Sequence, residues 1–392
     1  MRTHTAQHPF IWLFLSVLAL LLSFQSVLGQ TDLQPCLERP TFIDPPWING
    51  TLWCLEQVIA LPDAGDMAFT ALAAAPNGTL YATRPFPGEV WALDDTNGNG
   101  LPDTPRLVED HLERPNGLVF YDGALYVSGA SQIYRIQGET ITTLVDDLPS
   151  GTGFWTGGLT VGPDERIYVG IGAPCDACVP DNPLRGTILS FALDGSDRQV
   201  IATGLRHPAD VAFLNGTLWT IDTARDSLFD TPNLDELNRV TPGADFGWPY
   251  CIGVDNRPDW PESVDCSGMT PPALALPTHS TPVGLAAYES DTFPNITGTL
   301  LIVLHGPTNK TDLRDSYSLA VVTFNADGVP DGYTIILPEQ ADKTNPPGLT
   351  TNDIQYQGSG LWPHAPLGVA VSPDGWIYLS VTGGTIYTIR PG

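Results

Sequence analysis

The sequence predicts an all-β chain, a six-bladed β-propeller, and three observations carry that prediction. Glycine and proline number 39 and 37 among 392 residues. Both weaken helix interiors, proline by about 3 kcal/mol. Asn-Gly and Asp-Gly pairs recur between short apolar runs, where they supply the positive φ that tight hairpins need. A strand–turn–strand unit also repeats six times, its early copies 42 to 51 residues apart when measured between Tyr81, Tyr126, Tyr168 and Trp219. That period fits a four-stranded propeller blade. A β-sandwich leaves it unexplained.

The units follow in chain order. The first spans 71–81, the second 115–127, the third 158–169 and the fourth 210–219. A divergent fifth runs from 283 to 303, and the sixth covers 367–379. Residues 51–62 are expected to supply the outer strand that closes the last blade, which makes 30–392 one domain. Propellers bind ligands at the channel mouth, on connections between blades, so a sugar or other small molecule is expected there.

The first 29 residues read as a signal peptide. Arg2 and His4 precede an apolar run from Phe10 to Leu22, and Val27-Leu28-Gly29 fits cleavage before Gln30. The run is short for a membrane span, so the mature chain is expected to be secreted, periplasmic or extracellular with no span left after cleavage, an uncleaved anchor being the second reading of the same run. A formal charge of -27, with lysine only at 310 and 343, repels phosphate backbones and excludes nucleic acid as a partner. Six cysteines in an oxidising compartment predict disulfides. Proximity suggests 36–54, 175–178 and 251–266, although six cysteines allow fifteen connectivities.

One loop has the alternating oxygen pattern of a Ca2+ site: Asp95, Asn97, Asn99 and Asp103. Arg106 stands where an EF-hand has its Glu. An Asx- and Gly-rich turn is the second reading of the same residues. Asp235-Glu236 is another metal candidate, with a Glu236–Arg239 ion pair as its alternative.

The most specific stretch is Gly204-Leu205-Arg206-His207-Pro208, followed by Asp235-Glu236-Leu237-Asn238 and Gly243-Ala244-Asp245-Phe246-Gly247-Trp248-Pro249. With Gly162-Pro163-Asp164, the Cys175/Cys178 loop, His305-Gly306 and 366–375, it resembles the PQQ-dependent glucose/sorbosone dehydrogenase family, most closely its sorbosone-type branch. There the pattern reads Gly-Leu-Arg-Asn-Pro, Asp-Glu-Leu-Asn and Gly-Ala-Asn-Tyr-Gly-Trp-Pro. The resemblance covers about residues 68–392. It implies a secreted six-bladed propeller with PQQ and Ca2+ at the channel mouth, oxidising a sugar or sugar aldehyde.

The resemblance carries over unevenly. It places Arg206 against the quinone, and it names Arg206, His305 and Lys310 as cofactor-binding. The family's base lies in a Gly-His-Trp-Thr stretch. This chain has Gly153-Phe154-Trp155-Thr156, and Phe154 takes no proton. A cofactor-clamping Arg is replaced by Ala365. His207, next to Arg206, is the candidate substitute base. Three functions follow: PQQ-dependent sugar oxidation, a non-catalytic ligand-binding propeller derived from it, or a Ca2+-dependent lactonase-like hydrolase. The last requires metal-binding carboxylates around the channel, with Asp210 and Asp222 as the residues to check.

Overall fold

Asn215 (φ 49°) and Gly216 (φ 74°) form the two-residue turn between strands Pro208–Leu214 and Thr217–Asp222. Asp122 and Gly123 do the same between Gly117–Tyr121 and Ala124–Ser128. Two successive positive φ values give the twist that antiparallel neighbours require. These hairpins are the repeat seen in the sequence, and each opens one blade.

The structure is a computed structural model that describes Met1 and residues 34–43, 48, 53–61, 69–225, 234–252, 255–256, 264–277, 279–306, 316–338 and 364–392. Apart from Met1 the expected leader, 1–29, lies outside the described residues, as does Lys310. Among the described residues there is one 3-10 turn, Cys36–Glu38, and no helix long and apolar enough to cross a membrane.

Blades 1 and 2 start at Leu72–Ala74 and Gly117–Tyr121, blades 3 and 4 at Thr156–Val161 and Pro208–Leu214, and blades 5 and 6 at Pro282–Tyr288 and Pro366–Val371. Each is a four-stranded antiparallel sheet in simple meander order, except that blade 3 gains a parallel edge strand, Ala244–Asp245. The innermost strands touch in a closed ring, with Pro366–Val371 returning to Leu72–Ala74. Outer strands such as Thr104–Glu109 are largely exposed.

The core is divided in the same way. Six apolar clusters fill the six gaps between neighbouring blades. Ile188, Leu205, Val211 and Leu218 lie between blades 3 and 4, and Leu237, Ile221, Leu300 and Ile302 between blades 4 and 5. Tyr288 and Val303 pack with Ile377 and Leu379 between blades 5 and 6. Burying side chains of this size contributes about 1.5–3 kcal/mol each, so every blade is held by both neighbours.

The ring closes as the sequence predicts. Trp53–Ala60 pairs antiparallel with Thr385–Pro391 and completes blade 6 from the other end of the chain. Glu56, fully buried on that strand, accepts from Arg390 Nε at 2.6 Å and Nη2 at 2.8 Å, from Arg39 Nη1 at 3.1 Å and from Thr41 Oγ1 at 2.6 Å. Burial alone raises its pKa, but donors led by Arg390 outweigh that and hold it below the usual carboxylate value. The disulfides are Cys36–Cys54, Cys175–Cys178 and Cys251–Cys266, the three pairs that proximity suggests.

Candidate functional site

Strand order fixes which residues meet at each end of the channel. Connections entering the innermost strands, and those between second and third strands, lie at one end. First-to-second and third-to-fourth turns lie at the other. Phe154, Arg206 and His207 precede innermost strands, while Asp176, Thr223 and Arg225 follow second strands, so all six belong to one mouth.

The channel below has a cavity of about 230 Å³, and Asp210 is the one titratable residue among those lining it. Its Oδ1 accepts from Val211 N at 2.9 Å and its Oδ2 from Leu285 N at 2.8 Å, tying blade 4 to blade 5. Burial pushes its pKa up to about 7. Gly158 makes room for this carboxylate, because a Cβ there would collide with Asp210 Oδ1.

At the mouth Arg206 is buried, 3% exposed, and its donors are engaged. Nη2 and Nε donate to Asp176 Oδ1 at 2.6 and 3.1 Å, and Nη1 donates to the carbonyl and hydroxyl oxygens of Thr223, both at 3.1 Å. The ring of Phe154 covers the guanidinium, with Cζ 4.2 Å from its centroid. Arg225 Nε donates to the other oxygen of Asp176 at 2.7 Å. Asp176, between Cys175 and Cys178, therefore bridges two guanidinium groups from the next blade.

His207 stacks on the same aromatic ring: its centroid is 4.8 Å from that of Phe154, at an interplanar angle of 26°. Its Nδ1 lies 3.2 Å from Thr223 Oγ1. Burial, and then the charge of Arg206, lower its pKa to about 3. Such an imidazole stays neutral and is a weak base at neutral pH, where general-base catalysis is best served by a pKa near the working pH.

The carboxylates of blade 4 are also spoken for. Asp222 accepts from the backbone N–H groups of Arg206 and His207, and burial pushes its pKa up to about 6. Asp235 accepts from Ala224 N, Ser280 Oγ and Thr281 N, fastening blade 4 to the entry of blade 5. Glu236 is the cross-strand neighbour of Asp222, and its pKa rises to about 8 through burial and then the charge of Asp222. The expected alternative for Glu236 is corrected: its carboxylate accepts from Asn238 Nδ2, at 3.0 Å, rather than from Arg239. On a strand, residues three apart point to opposite faces. Asp210 and Asp222 thus serve backbone amides. Among the described residues the only three metal-ligating side chains brought together are Glu109, Asp110 and His111, which are largely exposed. Among the described residues Asp210 and Asp222, the carboxylates the hydrolase reading points to, belong to no such group.

His305 begins the second-to-third connection of blade 5, its Nδ1 3.1 Å from Gly306 O, and burial lowers its pKa. The predicted Ca2+ loop sits between the third and fourth strands of blade 1, at the end opposite the mouth. Asp95 accepts from Gly98 N and Gly100 N, both at 2.8 Å, Asn97 from Asn99 N at 3.0 Å, and Asn99 from Leu101 N at 2.8 Å. Asp103 accepts from Thr96 and Asn97. Sequence reasoning singled out Arg206 and its neighbour His207, and in the structure both lie against the ring of Phe154. It missed Asp176, Thr223 and Arg225, for which the only local signal was an acidic residue enclosed by two cysteines.

PQQ is a tricarboxylate with quinone oxygens, and it needs cations free to face it. Here Arg206 donates to Asp176 and Thr223, lies under Phe154, and has a neutral histidine beside it. Ala365, where the resemblance implies a second arginine, is buried at 4% exposure. The residues around Arg206, His207 and Ala365 therefore do not fit PQQ, and no step is derived through it.

A family model described as Glucose / Sorbosone dehydrogenase matches residues 135–305. Among solved structures, a Trichoderma reesei Carbohydrate-Active Enzymes Family AA12 protein is 19% identical with a TM-score of 0.67, covering 87% of this chain and 96% of its own. The PQQ-bound aldose sugar dehydrogenase of Streptomyces coelicolor is 18% identical with a TM-score of 0.57, covering 87% and 99%. The apo-form aldose sugar dehydrogenase of Escherichia coli is 17% identical with a TM-score of 0.59, covering 87% and 100%. At these identities the likeness establishes the fold. An uncharacterized protein of Borreliella burgdorferi is 25% identical over 224 residues, 51% of this chain, and the chain spans 59% of that relative's length. The resemblance to the glucose/sorbosone dehydrogenase family thus holds, on the six-bladed frame its motifs implied.

Proposed function

We propose that this glucose/sorbosone dehydrogenase-type propeller is an exported sugar-binding protein whose channel mouth no longer works as a PQQ-dependent dehydrogenase. One observation carries the reading: the guanidinium of Arg206 is held by Asp176 and Thr223 beneath Phe154, where the family implies an arginine facing the quinone. The loss of a basic residue at 154 points the same way, because general-base catalysis typically contributes about 10²–10⁴-fold in rate. Three disulfides and the N-terminal apolar run support export, with the mature domain beginning near Gln30. The sugar is assigned from the family likeness.

The test is a titration of the purified protein with PQQ in the presence of Ca2+, followed by tryptophan fluorescence and quinone absorbance. The expected result is no saturable one-to-one binding up to tens of micromolar. Tight, Ca2+-dependent binding would overturn the reading and restore the dehydrogenase, with Asp176 displaced by the cofactor.

A further inference from the structure

Beside Arg206, the same mouth carries an aromatic corner that the site described above does not use. Phe86 stands in the second-to-third connection of blade 1 and is 67% exposed. Its ring is 5.8 Å from that of Trp155, at 81°. Trp155 enters blade 3 directly after Phe154. Arg114, in the connection entering blade 2, holds its guanidinium 5.7 Å from the Trp155 ring. Three consecutive blades thus meet in one patch.

The patch is held in shape. Pro85 and Pro87 flank Phe86 and restrict the backbone on both sides of it. Gly88 anchors the turn: its carbonyl accepts from Leu112 N at 3.0 Å, and a Cβ at 88 would stand 2.6 Å from Leu112 O. Arg114 has φ 46°, a left-handed conformation that costs a non-glycine residue about 1 kcal/mol or more. Its side chain is exposed and makes no hydrogen bond to another described residue. The exposed Phe86 ring and the Arg114 guanidinium both meet Trp155, and backbone strain of the kind at Arg114 concentrates at ligand sites.

The ligand follows from the chemistry. One apolar ring face, a perpendicular aromatic wall and the guanidinium donors of Arg114 suit a ring that is apolar on its face and hydroxylated on its rim. The chain's charge of -27 and the exposed carboxylates at Glu113 and Asp110 disfavour an anion. We propose that Phe86, Trp155 and Arg114 form a binding platform for a neutral sugar residue, an outer subsite of the channel mouth with Phe86 as its stacking face. This rests on the sugar-binding reading above.

The test is affinity electrophoresis of the whole mature protein in native gels containing neutral polysaccharides (soluble starch, xyloglucan, galactomannan) or acidic ones (alginate, polygalacturonate). At least one neutral polysaccharide should retard the protein. Phe86→Ala should weaken that binding about tenfold, and Phe86→Tyr should retain it. Val329→Ser, which alters an exposed apolar residue at the opposite end of the propeller, should leave it unchanged. No retardation by any neutral polysaccharide, retardation by acidic ones alone, or retardation indifferent to Phe86→Ala would overturn the platform. PQQ binding would instead overturn the functional reading, so the two failures are distinguishable.

Discussion

Arg206 and Phe154 form a cation–π pair across two blades, with the guanidinium carbon 4.2 Å from the ring centroid. Phe154, where the resemblance implies a base, covers Arg206, where it implies the quinone-facing arginine, so on the proposed reading the two positions act together. Restoring a base alone is then insufficient. Phe154→His should give no saturable PQQ binding and no dye-linked sugar oxidation. Combining it with Asp176→Asn, which frees the guanidinium of its counter-charge, is the minimum change expected to yield measurable PQQ binding. Gain of oxidation by Phe154→His alone would show that Asp176 does not block the site.

Asp176→Asn carries a stability cost of its own. It removes the charge that faces the buried Arg206, and an unpaired buried charge is strongly destabilising. Asp176 is itself 38% exposed on its side chain, so water compensates in part. A loss of about 1–3 kcal/mol is expected, read as a lower denaturant midpoint with unchanged slope.

Asp210 makes stability fall as pH rises. Its folded pKa, about 7, lies above the 3.8 of the free side chain, so the folded state binds its proton more tightly. That contribution is complete below about pH 4 and is lost as pH rises through 7. His207 has the opposite sign: its folded pKa of about 3 lies below 6.5, so its contribution is complete above 6.5 and is lost as pH falls through 3. Asp210→Asn should remove the first effect and leave the second. Denaturant unfolding between pH 4 and pH 8 should show the variant's stability falling less with pH, by about 1 kcal/mol or more. Parallel profiles for the two proteins would contradict the assignment.

Much of the fold was legible because its determinants are local. Asn215-Gly216 and Asp122-Gly123 specify turns within four residues, and each disulfide joins near neighbours in sequence. The mouth was legible only in part. Arg206 could be found from its motif, but its partner Asp176 lies 30 residues away on the preceding blade. Nothing in the local pattern says that Asp222 caps the amides of Arg206 and His207, or that Asp210 reaches Leu285 across a blade boundary. The Glu236–Arg239 alternative failed for a simpler reason, since spacing by three brings residues together on a helix and separates them on a strand.

Glu56 is the residue on which closure of the ring depends most directly. It is fully buried and faces Arg390 and Arg39, so Glu56→Gln leaves two buried guanidinium groups without their counter-charge. A loss of about 3–5 kcal/mol is expected, with the amides of Trp53–Ala60 losing hydrogen-exchange protection first. Uniform loss across all six blades would mean that closure is not a separable step.

The Asp95–Asp103 loop separates its two sequence readings by experiment. Its side chains already accept backbone N–H groups, which suits an Asx turn, while their remaining lone pairs and two carboxylates suit a weak Ca2+ site. A ligand that binds only the folded state at ten times its Kd stabilises it by about 1.4 kcal/mol. Millimolar Ca2+ should therefore raise the thermal midpoint, Mg2+ should do so much less, and Asp95→Ala should abolish the Ca2+ effect while lowering the midpoint in chelator. If Asp95→Ala lowers the midpoint equally with and without Ca2+, the loop is a turn that borrows the pattern, and the Ca2+ reading of Asp95, Asn97, Asn99 and Asp103 is withdrawn.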